Sequence, residues 1–348
     1  MEETIEQMSD LILNEAWRRR ASDIHFIIGA NEGMVKYRID GELLLYKKLD
    51  KVLCRRLISH FKFLAAMDIG EQRRPQGGTL TVQLQEDILQ LRLSTLPNAS
   101  EESLVLRIHP QNKRTPLTKL SLFPRSIHTL SSFLHHSHGL LILTGATGCG
   151  KTTTVYSLLE EVAKRRACNI ITLEDPIEQR NETFIQVQVN EKAGINFQTG
   201  LRAILRHDPD IVMIGEIRDE YTAKIAIQAS LTGHLVLTTL HTHHTKGAIY
   251  RLMELGISLH DIEQTLVGIV SQRLVKVICP YCGEECSLYC QARDSRRLGV
   301  YEILYGYNLK QVIREARGEE VTYSYMTLPR LLRKAYGLGY VTDGEIMV

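Results

Sequence analysis

A short apolar segment followed by a glycine-rich loop constrains the fold of this chain more than any other feature. Residues 140–143 read Leu-Leu-Ile-Leu, and the loop that starts at Gly145 has the pattern G-x-x-x-x-G-K-T. Residues 152–166 have helical character, so the loop lies between a strand and a helix, as a phosphate-binding loop (P-loop) requires. Its glycines let backbone N–H groups turn towards a triphosphate, and the helix dipole favours the same anion. A glycine-rich turn that only happens to precede a lysine is the alternative interpretation.

The P-loop predicts a nucleoside triphosphate site that uses Mg²⁺. Lys151 is expected to reach the β- and γ-phosphates, and the hydroxyl of Thr152 is expected to be a ligand for Mg²⁺. The predicted nucleotide-binding residues are Gly145, Ala146, Thr147, Gly148, Cys149, Gly150, Lys151, Thr152 and Thr153.

The chain has 348 residues, which is too long for one ordinary domain, and its first part predicts a small α+β domain over residues 1–110. An amphipathic helix over residues 5–17 ends in Trp17 and three arginines. Such a helix either packs one face on a core or lies on a membrane surface, and packing on a core is the more frequent arrangement. Further patterns predict strands at 24–28, 35–39 and 42–46, a helix from 50 to 66, a turn at 75–78, and strands at 79–84, 88–93 and 104–108.

Residues 111–124 have the composition of a linker, and the pattern changes after them. Short apolar strands at 140–143, 169–173, 211–214 and 235–240 alternate with helical segments. This alternation predicts an α/β domain over residues 125–278, with a parallel sheet and helices on both faces. Ligands of such sheets bind at the carboxyl ends of the strands.

Polar side chains follow three of these strands. Glu174, Glu216 and His241 each come directly or almost directly after a strand, and His234 precedes the last one. Phosphoryl transfer to water needs one carboxylate to orient the water, another in the metal shell, and a group that responds to the γ-phosphate. Any one of these residues alone could be a helix cap or a surface acid. Their position at neighbouring strand ends favours hydrolysis.

Four segments of the chain resemble the Walker A, Asp, Walker B and His boxes of the type II secretion and type IV pilus assembly ATPases. The resemblance covers about residues 20–310. It implies a RecA-like P-loop ATPase domain that binds ATP, a smaller N-terminal α+β domain, and a short cysteine-bearing, helical C-terminal region over residues 279–348. The similar segments are residues 145–154, 172–178, 205–219 and 232–242, together with 21–25, 37–41, 74–76, 92–97, 105–107 and 266–274.

The resemblance also implies roles for individual residues of the ATPase domain. Glu174 would position the attacking water and Glu216 would belong to the Mg²⁺ shell, or the two would exchange these roles. His234 and His241 would relay the state of the γ-phosphate to the moving domains.

Two arginines of the first domain complete the implied site. Arg92 and Arg107 would act as arginine fingers that reach the nucleotide from across a domain or subunit boundary. Ordinary strand arginines in surface ion pairs are the alternative interpretation.

Within the family, the compact first domain and brief cysteine module resemble the ATPases of Gram-positive competence pseudopili. The resemblance implies a homo-hexamer that works with a polytopic inner-membrane platform protein to assemble a pseudopilus for DNA uptake. The alternatives are a pilus retraction motor, a DNA-translocating RecA-like ATPase, and a scaffold that binds nucleotide for regulation.

Hydropathy and charge predict the location of the protein. No run approaches the 18–20 apolar residues that span a bilayer, and the acidic N-terminus lacks the regions of a signal peptide. We expect a cytoplasmic protein without a transmembrane segment, peripherally associated with the cytoplasmic face of the plasma membrane. The net charge of +2 argues against direct sequence-specific binding of nucleic acid.

Four of the seven cysteines lie close together near the C-terminus. In a cytosolic chain such a cluster favours a metal site over disulfides. A C-x₂-C pair followed by glycine is typical of a zinc knuckle, although the second half of the cluster has wider spacing. We predict a structural Zn²⁺ with no role in hydrolysis, and unmetallated thiols are the alternative. The predicted ligands are Cys279, Cys282, Cys286 and Cys290.

Overall fold

In a computed structural model, residues 4–84, 86–98, 101–111, 115–283 and 296–346 are described. The chain divides into two compact units, Met1–Lys113 with Cys279–Arg296 and Arg114–Ile278 with Arg297–Val348. No helix among these described residues has the length and apolar character that crossing a bilayer requires.

Alternating burial organises the first unit. Strands β1 and β2 place every second side chain in the core, where the apolar faces of α1 and α2 also pack. All neighbouring strands are antiparallel, in the order β3-β2-β1-β6-β5-β4. The elements are α1 (Ile5–Arg18), β1 (Asp23–Ile28), β2 (Gly33–Ile39), β3 (Glu42–Leu49), α2 (Lys51–Leu64), β4 (Gln76–Leu84), β5 (Asp87–Pro97) and β6 (Glu102–Pro110).

The two helices of this unit begin at side-chain caps. Thr4 and Gln7 form a capping box at α1, and Asp50 accepts hydrogen bonds from the first turn of α2. Met8 and Ile12 on α1 are buried, which confirms that this helix packs on the core.

The turn predicted at 75–78 is wrong in its extent, because β4 already begins at Gln76. Gln76 pairs with Thr95 and Gly78 with Leu93, so ladder hydrogen bonds override a composition that is typical of turns. Gly78 also allows a close approach, since a Cβ there would lie 2.8 Å from Cγ of Met67.

A seven-stranded sheet forms the centre of the second unit, in the order β13-β12-β7-β11-β10-β8-β9. Its elements are α3 (Pro124–Ser132), β7 (Gly139–Thr144), α4 (Lys151–Arg165), β8 (Ile170–Glu174), β9 (Ile185–Gln188), α5 (Phe197–Ile204), β10 (Ile211–Ile214), α6 (Glu220–Leu231), β11 (Leu235–Leu240), α7 (Thr245–Glu254), α8 (Leu259–Thr265), β12 (Leu266–Lys276), β13 (Arg297–Tyr305), α9 (Gly306–Ala316) and α10 (Leu328–Gly337).

Both faces of this sheet are covered. Leu140 and Ile142 on β7 pack in a core with α5 to α9, whereas Leu141 and Leu143 pack in a second core with α3 and α4. Every residue of β7, β8, β10 and β11 is buried, as expected for central strands between two helical layers. The predicted α/β class is confirmed.

The strands predicted within residues 125–278 are parallel, as expected, and β13, which lies outside that range, makes the whole sheet mixed. Strands β7 to β12 run parallel to their neighbours, but β13 is antiparallel to β12 from Gly268–Tyr305 to Lys276–Arg297. Pairing with β12 explains why residues 297–348 belong to the second unit.

Candidate nucleotide-binding site

The P-loop connects the carboxyl end of β7 to the first turn of α4. Gly145, Gly148 and Gly150 have φ values of +141°, +77° and +88°, in the region that favours glycine. Ala146 and Thr147 are exposed, whereas Cys149 turns inward and is buried. Burial raises the pKa of the Cys149 thiol above its ordinary value. The loop therefore presents backbone and small side chains to solvent at the beginning of a helix, as an anion site requires.

Lys151 reaches back across the P-loop. Its Nζ donates to the carbonyl oxygens of Gly145 at 2.7 Å and Ala146 at 3.1 Å. Burial lowers the pKa of Lys151 below its ordinary value, and the negative charges of Glu216 and Glu178 oppose this shift. The ammonium group is therefore placed at the loop opening on two carbonyl contacts that phosphate oxygens could replace.

Thr152 and Thr153 continue the loop into α4. Thr152 is half-buried and Thr153 is exposed. A hydroxyl directly after the P-loop lysine is the ligand that this type of site offers to Mg²⁺. The residues present thus fit a triphosphate with Mg²⁺.

A threonine pair holds the end of β7 against the segment that follows β11. The Thr144 hydroxyl lies 2.7 Å from the carbonyl oxygen of Thr242 and accepts from the Thr242 N–H at 2.9 Å. His241 precedes Thr242 and is therefore placed at the same sheet edge as the P-loop.

Glu216 and His241 meet at this edge. Their Oε2 and Nε2 atoms lie 3.1 Å apart, and the other oxygen of Glu216 forms an ion pair with Arg218. Arg218 also lies 3.9 Å from a carboxylate oxygen of Asp175. The structure thus joins two of the predicted strand-end residues in one contact.

Glu174 lies at the end of β8 in a closed polar network. It is 3% exposed, and both of its carboxylate oxygens lie within 2.8 Å of the Tyr156 hydroxyl. Thr172 donates at 2.6 Å, and Gln186 on β9 lies at 3.4 Å. Burial raises the pKa of Glu174, although the hydrogen bonds from Thr172, Tyr156 and Gln186 oppose that effect. Because Tyr156 is on α4, Glu174 is held against the helix that begins at the P-loop.

The structure does not bring His234 to the P-loop of its own chain. Leu235 pairs with Gly139 at the start of β7, whereas Leu240 pairs with Thr144 at its end. The five intervening residue steps separate the two sheet edges by roughly 17 Å. The ring of His234 instead contacts the carbonyl oxygen of Ala229 at 3.0 Å.

Arg92 and Arg107 are neighbours in the first unit, because β5 and β6 pair them directly. Nε of Arg107 donates to Oδ1 of Asp23 at 2.9 Å, and the Arg107 side chain remains 59% exposed. Burial disfavours the Asp23 carboxylate, but hydrogen bonds from Arg107 and Ser22 outweigh burial and lower its pKa. The two arginines therefore form a cationic pair on one face of the sheet.

Two of the four clustered cysteines are described. Cys279 is buried and Cys282 is exposed. Reciprocal backbone hydrogen bonds of 3.1 and 2.9 Å join Cys279 to Gly283, whose φ is +69°. Cys286 and Cys290 lie outside the described residues. Within the described ranges, no three histidine, cysteine or acidic side chains form a metal-sized group.

Several residues that shape the site have no signal of their own in the sequence. Tyr156 and Gln186 contact Glu174 but belong to no recognised segment. Gln272 lies in the family-like segment 266–274, but its contact with Cys149, 123 positions away, has no local signal. Arg218 offered the one local signal, since it stands two positions after Glu216.

The family described as type II/IV secretion system protein matches residues 1–346. The chain is 54% identical over 345 residues to competence protein ComGA of Bacillus subtilis strain 168, covering 99% of this chain and 97% of that protein. It is 44% identical over 290 residues to type II secretion system protein E of Pseudomonas aeruginosa, covering 81% of this chain and 58% of that protein.

A solved structure has the same fold. The crystal structure of the pilus retraction motor PilT with bound ADP aligns with a TM-score of 0.69 and 26% identity. The alignment covers 100% of this chain and 96% of PilT.

Proposed function

The chain belongs to the type II/IV secretion system protein family and is an ATP hydrolase, and from this premise we propose that it is the hexameric motor that assembles a competence pseudopilus for DNA uptake. The observation that carries the proposal is the similarity to a competence protein over nearly the full length of both chains. The P-loop and the adjoining Glu216–His241 contact supply the chemistry that such a motor needs.

In the proposed reaction, Lys151 exchanges its two carbonyl partners for phosphate oxygens of ATP. The hydroxyl of Thr152 and the carboxylate of Glu216 would hold Mg²⁺, which supplies charge neutralisation at the phosphates. Glu174 would accept a proton from the attacking water, and its raised pKa moves it towards the range that suits a general base. The alternative is that the two glutamates exchange these roles.

Arg92 and Arg107 would stabilise the charge of the transition state from another domain or subunit. Arginine fingers of this kind contribute on the order of 10³ to 10⁵ in rate. The ion pair with Asp23 supports this role for Arg107, because it orients the guanidinium while more than half of the side chain stays exposed. His241 would report the γ-phosphate through Glu216, and for His234 we propose the same relay from the opposite sheet edge.

Lys151→Ala tests the nucleotide site. We expect ATP turnover to be abolished, because the charge at the loop opening is lost. Lys164→Ala, an exposed lysine on the same helix, is the matched control and should hydrolyse ATP at the wild-type rate. Unchanged turnover in Lys151→Ala would remove the P-loop from the mechanism.

Arg92→Ala tests the finger role. We expect ATP affinity within about twofold of wild type and kcat lower by about 10³ or more. Lys36→Ala, a half-buried cation on β2 of the same sheet, is the control and should keep wild-type kcat. An equal loss of binding and hydrolysis would contradict the finger role.

Assembly and location need separate tests. We propose a ring of six chains on the cytoplasmic face of the plasma membrane, bound to a polytopic platform protein. Native mass spectrometry with ATP should show a species of six chains, and membranes that contain the platform protein should co-sediment the chain. A monomer at every concentration, or equal sedimentation with membranes that lack the platform, would contradict this arrangement.

We also propose a structural Zn²⁺ held by Cys279, Cys282, Cys286 and Cys290. The reciprocal hydrogen bonds between Cys279 and Gly283 support it, because they form a tight turn that carries the first two thiols. Elemental analysis of the purified protein should find stoichiometric zinc, and Cys282→Ser should lose it. Cys168→Ser, in the second unit, should retain it. Wild-type protein that contains no zinc would contradict the zinc site and support the alternative of unmetallated thiols.

The likeness to PilT favours a retraction motor as the second candidate. Deletion of the gene in the native host separates the two. An assembly motor predicts loss of surface pseudopili and of DNA uptake, restored by wild type and by Lys164→Ala but not by Lys151→Ala. Accumulation of surface filaments would instead support retraction, and strong stimulation of ATP turnover by DNA would support a DNA translocase.

A further inference from the structure

Gln272 on β12 contacts the P-loop at several points, and it lies in the family-like segment 266–274 but outside the four boxes. It is 3% exposed. Its Nε2 donates to the carbonyl oxygen of Cys149 at 2.7 Å, and its Oε1 accepts from the Thr154 hydroxyl at 2.8 Å. One carboxamide thus joins the last part of the loop to the first turn of α4.

The same residue lies against two loop glycines. A Cβ on Gly145 would lie 2.5 Å from the backbone oxygen of Gln272, and a Cβ on Gly150 would lie 3.0 Å from its Nε2. The close approach of the β12 backbone and the positive φ value both require glycine at 145, whereas at 150 the positive φ value favours glycine and the Gln272 side chain leaves little room. The P-loop is packed on Gln272 at both of its ends.

The hydrogen bond to Cys149 fixes the direction of a peptide group. A trans peptide is planar, so its C=O and N–H point in opposite directions. When Nε2 of Gln272 holds the carbonyl of Cys149 on the β12 side, the N–H of Gly150 points in the opposite direction, away from Gln272. Rotation of this peptide would turn a carbonyl oxygen towards bound phosphate, which repels it.

A second strand supports Gln272. The Tyr301 hydroxyl on β13 lies 3.1 Å from the Thr154 hydroxyl, so hydrogen bonds run from Tyr301 through Thr154 and Gln272 to the P-loop carbonyl. All four residues are buried, which keeps water from replacing these bonds.

We propose that Gln272 is a positioning residue of the ATP site, whose carboxamide holds the Cys149–Gly150 peptide in the orientation that binds the triphosphate. Because it acts on binding and not on the reacting atoms, its loss should raise KM for ATP and leave kcat almost unchanged. A residue that only filled space would not separate the two constants.

Gln272→Met tests the proposal, because it keeps the length of the side chain and removes both hydrogen bonds. We expect the Kd for a fluorescent ATP analogue and the KM for ATP to rise about tenfold, with kcat within about twofold of wild type. Thr154→Val retains the bond to Cys149 and should therefore weaken binding less. Gln264→Met, on the exposed side of α8, is the matched control and should bind like wild type.

Gln272→Glu provides an independent variant if Gln272→Met does not fold. Its carboxylate can still accept from Thr154 but repels the carbonyl of Cys149, so ATP affinity should fall at least as far as in Gln272→Met. Wild-type ATP affinity in a folded Gln272→Met or Gln272→Glu protein would overturn the proposal, as would a fall in kcat with unchanged KM.

Discussion

Tyr156→Phe removes a single hydroxyl from the buried network around Glu174. The hydroxyl lies 2.8 and 2.7 Å from the two carboxylate oxygens, and no other side chain among the described residues is that close to both. The phenylalanine ring keeps the contact with Phe184, whose centroid lies 6.1 Å away. The hydroxyl also accepts from Nε2 of Gln186 at 2.8 Å, so the substitution removes both contacts with little change in packing.

The expected loss of stability depends on pH. A hydrogen bond to a charged group contributes about 1.5 to 3 kcal/mol, so the free energy of unfolding of the second unit should fall by about 2 kcal/mol when Glu174 is ionised. Burial raises the pKa of Glu174 in the folded protein. Its contribution to stability is therefore fully present below the usual glutamate pKa and is lost as pH rises through the folded value. Removing the hydroxyl disfavours the carboxylate further, so the variant should lose more at high pH than at low pH.

Urea denaturation followed by circular dichroism, at about pH 8 and about pH 4.5, measures the difference. The single tryptophan, Trp17, lies in the first unit, and its fluorescence provides an internal reference that should not change. Tyr301→Phe is the matched control, because its hydroxyl contacts the neutral Thr154. That control should lose about 0.5 to 1.5 kcal/mol at both pH values. An equal loss for Tyr156→Phe at both pH values would refute the reasoning.

Three further outcomes follow from contacts within single units. Lys62→Met should destabilise the first unit by about 3 to 5 kcal/mol in urea, because it leaves buried Glu102 without the ammonium 2.8 Å away; a loss below about 1 kcal/mol would contradict this. Gly145→Ala should abolish ATP binding in a nucleotide titration, since its Cβ would lie 2.5 Å from the backbone of Gln272, and wild-type affinity would count against that clash. Asp23 has a lowered pKa, so the stability that it contributes is present above the usual aspartate pKa and is lost as pH falls through the folded value. Asp23→Asn should therefore flatten the acid limb of the tryptophan-fluorescence stability curve, and an unchanged limb would show that Asp23 does not cause it.

Local patterns identified the P-loop because all of its determinants lie within one short segment. The apolar strand, the glycines at positive φ and the helix after Lys151 depend on neighbours only a few residues away. Glu174 at the end of β8 and Glu216 just after β10 were predictable for the same reason, since the carboxyl end of a parallel strand fixes the sheet edge on which nearby residues lie.

The contacts of those acids cannot be predicted from their positions in the sequence. Those positions place Glu174 and Glu216 at one edge, but only the packed structure shows that Glu174 is enclosed by Tyr156 whereas Glu216 pairs with His241. Burial and partner choice depend on side chains from several elements, and no short window of sequence contains them.

The sequence by itself determined an α/β unit, an α+β unit before it, and the position of the predicted phosphate-binding loop. Only the tertiary structure shows that β13 adds an antiparallel edge strand to the sheet. It also shows that Gln272 donates a hydrogen bond to Cys149, which lies 123 positions away in the sequence. The reason is physical: helix and strand signals arise from hydrogen bonds and periodicity over a few residues, whereas contacts between distant residues depend on how the whole core packs.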